Sequence, residues 1–275
     1  MKLGEALEMV SVTDAGMVRT HNEDSVGTLP EQGIAILADG MGGYNAGEVA
    51  SGIAVSLISA ELSQALAQRD PAAIDPESGR PLAEIMLRDE IRRANASVYQ
   101  AAQSQPQYAG MGTTLVVTLF FDNRVAIGHI GDSRTYRLRG EQLTQITKDH
   151  SLLQEQIDSG MISREEARRS CHKNLVTRAL GIDPEVEPEI HVHDVQSEDI
   201  YLLCSDGLND MVEDEEIRLT LLALRSNLPL AAHQLVQMAN DNGGRDNVSV
   251  ILIRVKHEFP VRRRGLLRLL SKLKK

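Results

Sequence analysis

Four aspartates in this chain stand where apolar runs meet glycines or turns. Asp39 follows the apolar run 34–38 and precedes Gly40, Gly42 and Gly43. Asp132 follows "VAIGHIG", Asp206 follows "IYLLCS" and precedes Gly207, and Asp246 lies in "NGGRDN" just ahead of "VSVILI". Any one of them reads as a turn residue. Together they place four carboxylates at strand ends, and strand ends on one rim of a sandwich can converge across long stretches of sequence. Converging carboxylates repel one another unless a cation lies among them. Hard oxygen ligands in loops suit Mg²⁺ or Mn²⁺, which keep several waters. The glycines let a backbone carbonyl turn toward an ion and leave room for water or substrate. The spacing alone points to a two-ion carboxylate centre and hydrolytic chemistry. Arg19, five residues before Asp24 in "RTHNEDS", has the planar fork that matches two phosphate oxygens, although by itself it also reads as a surface arginine.

The elements that would position these residues follow from periodicity. "EMVSVTD" and 33–38 read as strands, and 46–68 as a helix with Val49, Ile53, Leu57, Ile58 and Leu62 on one face. Residues 69–81 carry three prolines and read as a loop, and a second long helix is expected over about 82–104. "TTLVVTLFF" and "RVAIGHIGD" flank Asp122-Asn123, and "RTYRLRG" and "QLTQIT" flank Gly140-Glu141, two hairpin signals. Residues 151–180 are polar and short-helical. Strands are expected at 188–194 and 199–204, helices at about 213–225 and 229–242, and a last strand at 247–255. Paired strand groups, paired helices and little βαβ alternation predict one layered domain of antiparallel sheets covered by helices.

Composition narrows the function. Of 275 residues, 42% are hydrophobic and only 3% aromatic, with no Trp, so the core is aliphatic and a base-stacking platform is disfavoured. The net charge of −10 has the wrong sign for general binding to nucleic-acid backbones. It divides into a body of −17 and a tail, residues 260–275, of +7. Cys171 and Cys204 form no CxxC pair, which fits a reducing cytoplasm and no zinc site. The N-terminus lacks the pattern of a signal peptide, and no apolar run reaches the ~20 residues of a membrane span.

Eight segments, in order, carry a resemblance: "DAGMVRTHNEDS", "ADGMGGYNAGEVAS", "GMGTTL", "GHIGDSRTYRLRG", "LTQITKDHS", "NLVTRALG", "LLCSDGLNDMV" and "GGRDNVSVIL". Over about residues 8–256 the chain resembles the metal-dependent serine/threonine protein phosphatases of the type 2C class, in their bacterial form. The resemblance implies an α+β fold, a four-layer αββα sandwich of two antiparallel sheets flanked by helix pairs. It implies that Asp39 bridges two Mn²⁺ or Mg²⁺ ions, with the Gly40 carbonyl, Asp206 and Asp246 completing the first site. Glu23 and Asp24 act near the second ion, and Asp132 with Asp206 holds a third, weaker one. Arg19 binds the substrate phosphate, and Asn247 supports Asp246. A water shared by the two ions attacks phosphorus in line with the leaving Ser or Thr oxygen. The proton donor to that oxygen stays open: Met41 stands where some relatives have His, and ion-bound water or Tyr44 are the alternatives.

The expected organisation is a catalytic domain over 1–257, with residues 151–180 as a flap beside the site, and a basic amphipathic tail over 258–275. The tail reads as a solvated segment, a membrane-surface anchor or a docking helix. The expected protein is a cytoplasmic monomer acting on phosphoproteins and opposing a Ser/Thr kinase. Competing readings are a non-catalytic phosphoprotein binder, which would have lost metal ligands that are all present here, and a signalling switch on the same fold.

Overall fold

The computed structural model describes residues 3–43, 46–163, 166 and 175–260. Tyr44, Cys171, His172 and tail residues 261–275 lie outside the described residues.

Two antiparallel sheets form the centre. The first contains β1 (Leu7–Asp14), β7 (Arg134–Arg139), β8 (Gln142–Gln145), β10 (Ile200–Cys204) and β11 (Val248–Val255), in the order β1-β11-β10-β7-β8. The second contains β2 (Asp24–Leu29), β3 (Ile34–Met41), β5 (Leu115–Phe121), β6 (Arg124–Ile130) and β9 (Glu189–Asp194), in the order β2-β3-β5-β6-β9, with β4 (Gly112–Thr113) paired to β3. A short helix α1 (Leu3–Ala6) precedes β1. The long helices α2 (Ala46–Gln68) and α3 (Leu82–Ser104) cover the second sheet, while α6 (Asp214–Ala223) and α7 (Leu228–Asp241) cover the first. The short helix α4 (Leu152–Asp158) buries no residue, whereas α5 (Asp206–Asn209), just after β10, packs Leu208 into the layer between the first sheet and α6 and α7.

Strand alternation builds three apolar layers from the same strands. On β3, Ile34, Ile36 and Ala38 face α2 and α3, while Ala35 and Leu37 face the other sheet. On β11, Val248, Val250 and Leu252 face α6 and α7, while Ile251, Ile253 and Val255 face inward. The expected αββα sandwich is therefore the observed one. The hairpin turn at Asp122-Asn123 has positive φ at both residues (43° and 57°), the geometry that matches strand twist in a two-residue loop.

Several local expectations need correction. The face that α2 buries is a stripe of small residues, Ala46, Gly47, Ala50, Ser51 and Ala54, joined by Val55, Ile58 and Leu62; Val49, Ile53 and Leu57 are only partly covered. Small side chains let the helix approach the sheet closely. The same helix is long and apolar enough to cross a membrane by length and composition, contrary to the reading that no run is, and here it packs on β2, β3 and α3. The last helix begins one residue before Pro229, at Leu228, where the Asn227 side chain accepts a hydrogen bond from the Leu230 N–H. The strand β2 was not expected, because "DSVGTL" offers only two large apolar residues and a glycine.

Candidate metal centre

Asp39 does not end its strand. β3 runs on to Met41, and Gly40 and Met41 pair with Thr113 and Gly112 of β4. Asp39 is the next inward position after Ala35 and Leu37, so its carboxylate enters the inter-sheet layer where the apolar contacts stop. In the β2–β3 register it lies directly opposite Asp24. Two like charges so placed destabilise a sheet. Asp206 reaches the same end as the first residue of α5, just after β10, and Asp246 lies two residues before β11. Asp132 follows β6 across Gly131, whose φ of +102° and contact with Thr114 leave no place for a side chain.

The electrostatics record the convergence. Burial pushes the Asp39 carboxyl well above its usual range, and Asp24, Asp206, Asp132 and Asp246 add to the shift. Asp206 is raised likewise by burial, then by Asp132, Asp210, Asp246 and Asp24. Asp39 and Asp206 keep a narrow solvent contact while protein surrounds them on nearly all sides. Burial raises Asp24 to about 6, against the nearby hydroxyls of Ser249 and Ser205, of which Ser205 is hydrogen-bonded to it. Burial, then the charge of Asp149, raises Asp132 to about 6. Glu23 is raised by burial and held back by Arg19. Asp39, Asp206, Asp24, Asp132 and Glu23 thus resist ionisation when no cation is among them.

A dense frame of hydrogen bonds holds the carboxylates in place. The Asp39 N–H donates to Thr114 Oγ1 (3.2 Å), and its carbonyl accepts from Thr113 Oγ1 (2.8 Å) and the Thr114 N–H (2.8 Å). Thr114 Oγ1 and Ser133 Oγ lie 2.7 Å apart. Ser205 Oγ donates to Asp24 Oδ2 at 2.8 Å. The Asn247 side chain accepts from the Glu23 N–H (2.8 Å) and donates to the carbonyls of Ala15 (3.1 Å) and His21 (2.9 Å), tying the 15–23 loop to the start of β11. Sequence reading missed these threonines and serines. Their signal was present as polar letters where apolar strands meet turns, in "GTTLVV", "GDSR" and "LLCSD". Gly40 is needed for close approach: a Cβ there would meet the Gly47 carbonyl oxygen at 2.2 Å and that of Glu23 at 2.6 Å.

Whether these residues fit a divalent ion can be tested on the donor set. It is all oxygen, which matches Mg²⁺ or Mn²⁺. Asp24 Oδ1 is buried and has no hydrogen-bond partner among the described residues. A carboxylate oxygen so placed, opposite a second carboxylate, wants a cation, and the residues fit. Arg19 stands at the rim with its side chain about half exposed, and donates to Asp246 Oδ2 at 2.7 Å. Beside the cluster a cavity of about 170 Å³ is lined by Asp132, Asp206, Asp210, Asp149 and Arg134.

A second titratable cluster is of another kind. His129, His150 and Glu189 bring ligand atoms within 4.8 Å of one another. Their hydrogen bonds argue against an ion: the Gly131 N–H uses the Nδ1 lone pair of His150 (3.2 Å), which leaves the proton on Nε2, facing Glu189 Oε2 (3.3 Å). Burial lowers His129 to about 4 and lowers His150, so both are neutral near pH 7. The expectation that His129 is a hydrogen-bond partner agrees with its Nε2 contact to the Lys148 carbonyl (2.9 Å). Cys204 is buried in β10, and burial pushes its thiol up to about 12, so it is no nucleophile.

An inward-facing acidic cluster at one end of an αββα sandwich, with an arginine at its rim, defines a hydrolase built to use a divalent metal. The family model for protein phosphatase 2C matches residues 17–246. The serine/threonine phosphatase stp of Listeria welshimeri is 41% identical over 244 residues, covering 88% of this chain and 93% of that one. The serine/threonine protein phosphatase PstP of Mycobacterium tuberculosis is 42% identical over 247 residues, covering 90% of this chain and 44% of that protein. Among solved structures, the catalytic domain of PstP in complex with two manganese ions superposes with a TM-score of 0.79 at 37% identity, covering 91% of this chain and 99% of that one. Stp1 from Staphylococcus aureus gives 0.80 at 37%, covering 94% and 98%. The chain belongs to the protein phosphatase 2C family, the metal-dependent protein phosphatases that its motifs resemble.

Proposed function

We propose that this chain is a bacterial serine/threonine protein phosphatase that hydrolyses phosphoserine and phosphothreonine in proteins with the help of two divalent ions. The observation that carries the site reading is the pairing of Asp24 and Asp39 across β2 and β3, with a buried oxygen of Asp24 left unpartnered. Asp39, the Gly40 carbonyl, Asp206 and Asp246 hold the first ion, and Asp39, Glu23 and Asp24 act at the second. Asp132 and Asp206 hold a third, weaker one. When bound, the ions supply an acidified water and neutralise charge on the phosphoryl oxygens.

The chain's own residues do the rest. Arg19 receives the phosphate, and for this its guanidinium leaves Asp246, which frees Asp246 for an ion. Asn247 keeps the loop bearing Arg19 and Glu23 against β11. Met41 cannot donate a proton to the leaving oxygen. The catalytic unit spans 1–257, with 151–180 as a flap facing the substrate. The enzyme works as a cytoplasmic monomer opposite a Ser/Thr kinase, and residues 260–275 serve as a solvated tail, a membrane-surface anchor or a protein-docking segment. Sedimentation with anionic liposomes, with and without 260–275, tests the membrane arm; equal partitioning removes it.

The deciding experiment measures hydrolysis of p-nitrophenyl phosphate and a phosphothreonine peptide with Mn²⁺, with EDTA and in Asp39→Asn. Turnover is expected only with the ion and the intact aspartate. Unchanged turnover in EDTA or in the variant would sink the mechanism.

A further inference from the structure

The proposed third ion rests on Asp132, and Asp132 sits on a two-residue turn after β6. What fixes that turn is not in its own sequence. Gly131 carries the turn at positive φ, and both of its backbone groups are bonded to one distant residue, His150. The His150 N–H donates to the Gly131 carbonyl at 2.9 Å, and the Gly131 N–H donates back to His150 Nδ1 at 3.2 Å. His150 is buried and is itself clamped. Its ring stacks on His129 (centroids 4.8 Å apart, 21° between planes), its Nε2 faces Glu189, and its carbonyl accepts from the Thr177 N–H at 2.8 Å. Beyond it, Ser151 bridges to Val176, and the Leu152 N–H donates to the Leu175 carbonyl, so the two ends of the 151–180 excursion close on the residue that grips Gly131.

We propose that His150 is a positioning residue for Asp132, holding the Gly131–Asp132 turn through its Nδ1 lone pair in the place where the carboxylate can serve the third ion. The role depends on the tautomer. A lone pair at Nδ1 requires the proton at Nε2, and Glu189 is the acceptor that keeps it there. The arrangement has the form seen around metal ligands generally, where an outer hydrogen bond fixes a ligand's position and its loss weakens the metal by about 10- to 100-fold. This inference rests on the third-ion reading for one of its two consequences, and the test separates them.

Two substitutions divide the ring's functions. His150→Asn keeps an acceptor at the δ position, within reach of the Gly131 N–H. His150→Gln moves its polar atoms out to the ε position, toward Glu189, and leaves Gly131 without an acceptor. The first readout is amide hydrogen exchange of Gly131 in the full-length protein without metal, which does not involve the third ion. Exchange is expected to quicken about tenfold or more in His150→Gln and to stay near wild type in His150→Asn. The second is direct Mn²⁺ binding, followed by the EPR signal of the free ion, with Asp132→Asn beside both variants. Asp132→Asn is expected to lose the weakest ion, and His150→Gln to weaken it about tenfold. Equal Gly131 exchange in wild type and His150→Gln would overturn the positioning role, and so would equal losses in the Asn and Gln variants. A wild-type binding isotherm in Asp132→Asn would remove the third-ion reading while the exchange result still decides on His150. If Asp132→Asn loses the ion and His150→Gln binds it at full strength, the positioning role fails alone.

Discussion

The inter-sheet layer has two ends made by the same strands, and they do opposite work. At one end Ala35, Leu37, Val116, Phe120, Tyr201, Leu203, Ile251 and Ile253 interlock, with Phe120 edge-on to Tyr201 (5.4 Å between centroids) and to Phe259 (6.3 Å). At the other, one pleat further along, the inward positions are Asp39, Ser205, Ser249 and Asn247. Strand geometry is the same at both ends. The apolar end stabilises the sandwich by burial. The acidic end destabilises it by enclosing carboxylates that resist ionisation. The contrast teaches that the rigid half lets the strained half exist: the carboxylates stay close because the strands that carry them are held elsewhere.

The comparison breaks most visibly at Asp39. Asp39→Asn should lower turnover of p-nitrophenyl phosphate by about 10²- to 10³-fold, the scale of removing one group that stabilises transition-state charge. The same variant should melt higher than wild type in EDTA at pH 8, because it removes one charge from the enclosed cluster. Calorimetry showing a lower melting point would mean that the acidic end is not strained.

A cut at the other end should act the opposite way. Phe120→Ala is expected to cost about 3–5 kcal/mol in urea unfolding, while the fraction that remains folded keeps its turnover. Loss of turnover in a fully folded sample would show that the apolar half does more than support.

Proton uptake sharpens the contrast without a mutation. A carboxyl raised in the folded state contributes stability below its unfolded value of 3.8 and loses it as the pH rises through the folded value. For Asp24 and Asp132 the loss runs from 3.8 to about 6, and Asp39 and Asp206 are also raised. His129, lowered to about 4, works against this: its contribution is lost as pH falls from 6.5, so the two effects oppose each other below 6.5. His150 and His193 are lowered as well and act in the same direction as His129. Saturating Mn²⁺ should remove the carboxylate share of the profile, since metal displaces the protons, so the gap between the melting points with Mn²⁺ and in EDTA should widen as the pH rises from 3.8 through about 6. A gap that does not widen would contradict the raised carboxyls.

The smallest effect is expected at the rim. Arg19→Ala should raise KM for a phosphopeptide about tenfold by removing a charged bond to phosphate. It should alter unfolding stability by less than about 1 kcal/mol, because its pair with Asp246 is open to solvent. A KM equal to wild type would take the phosphate role from Arg19.

The elements were largely legible. α2 and α3 occupy the expected spans, the two hairpins turn where Asp122-Asn123 and Gly140-Glu141 predicted, and β11 differs by one residue. Long periodic segments announce themselves, whereas β2 and β4, short and poor in large apolar residues, do not. Asp39 was legible as a ligand type but misplaced at a strand end, because Asp-Gly normally marks a turn and here lies within a strand pairing with β4. His150 was visible only as one histidine among eight, since the bonds that give it a role join residues 19 apart.

By itself the sequence determined the alternation that sorts each strand into a helix-facing and an inward face, the helix spans, the ordered family motifs, and the residue types able to hold a hard cation. Those are local properties, set by periodicity and side-chain chemistry. Only the tertiary structure decided that Asp24 stands opposite Asp39, that Thr113, Thr114 and Ser133 brace them, that Arg19 rests on Asp246, and that His150 grips the turn of Asp132. Each of these depends on register and on loop closure between segments far apart in the chain, and no local pattern encodes which strand end will meet which.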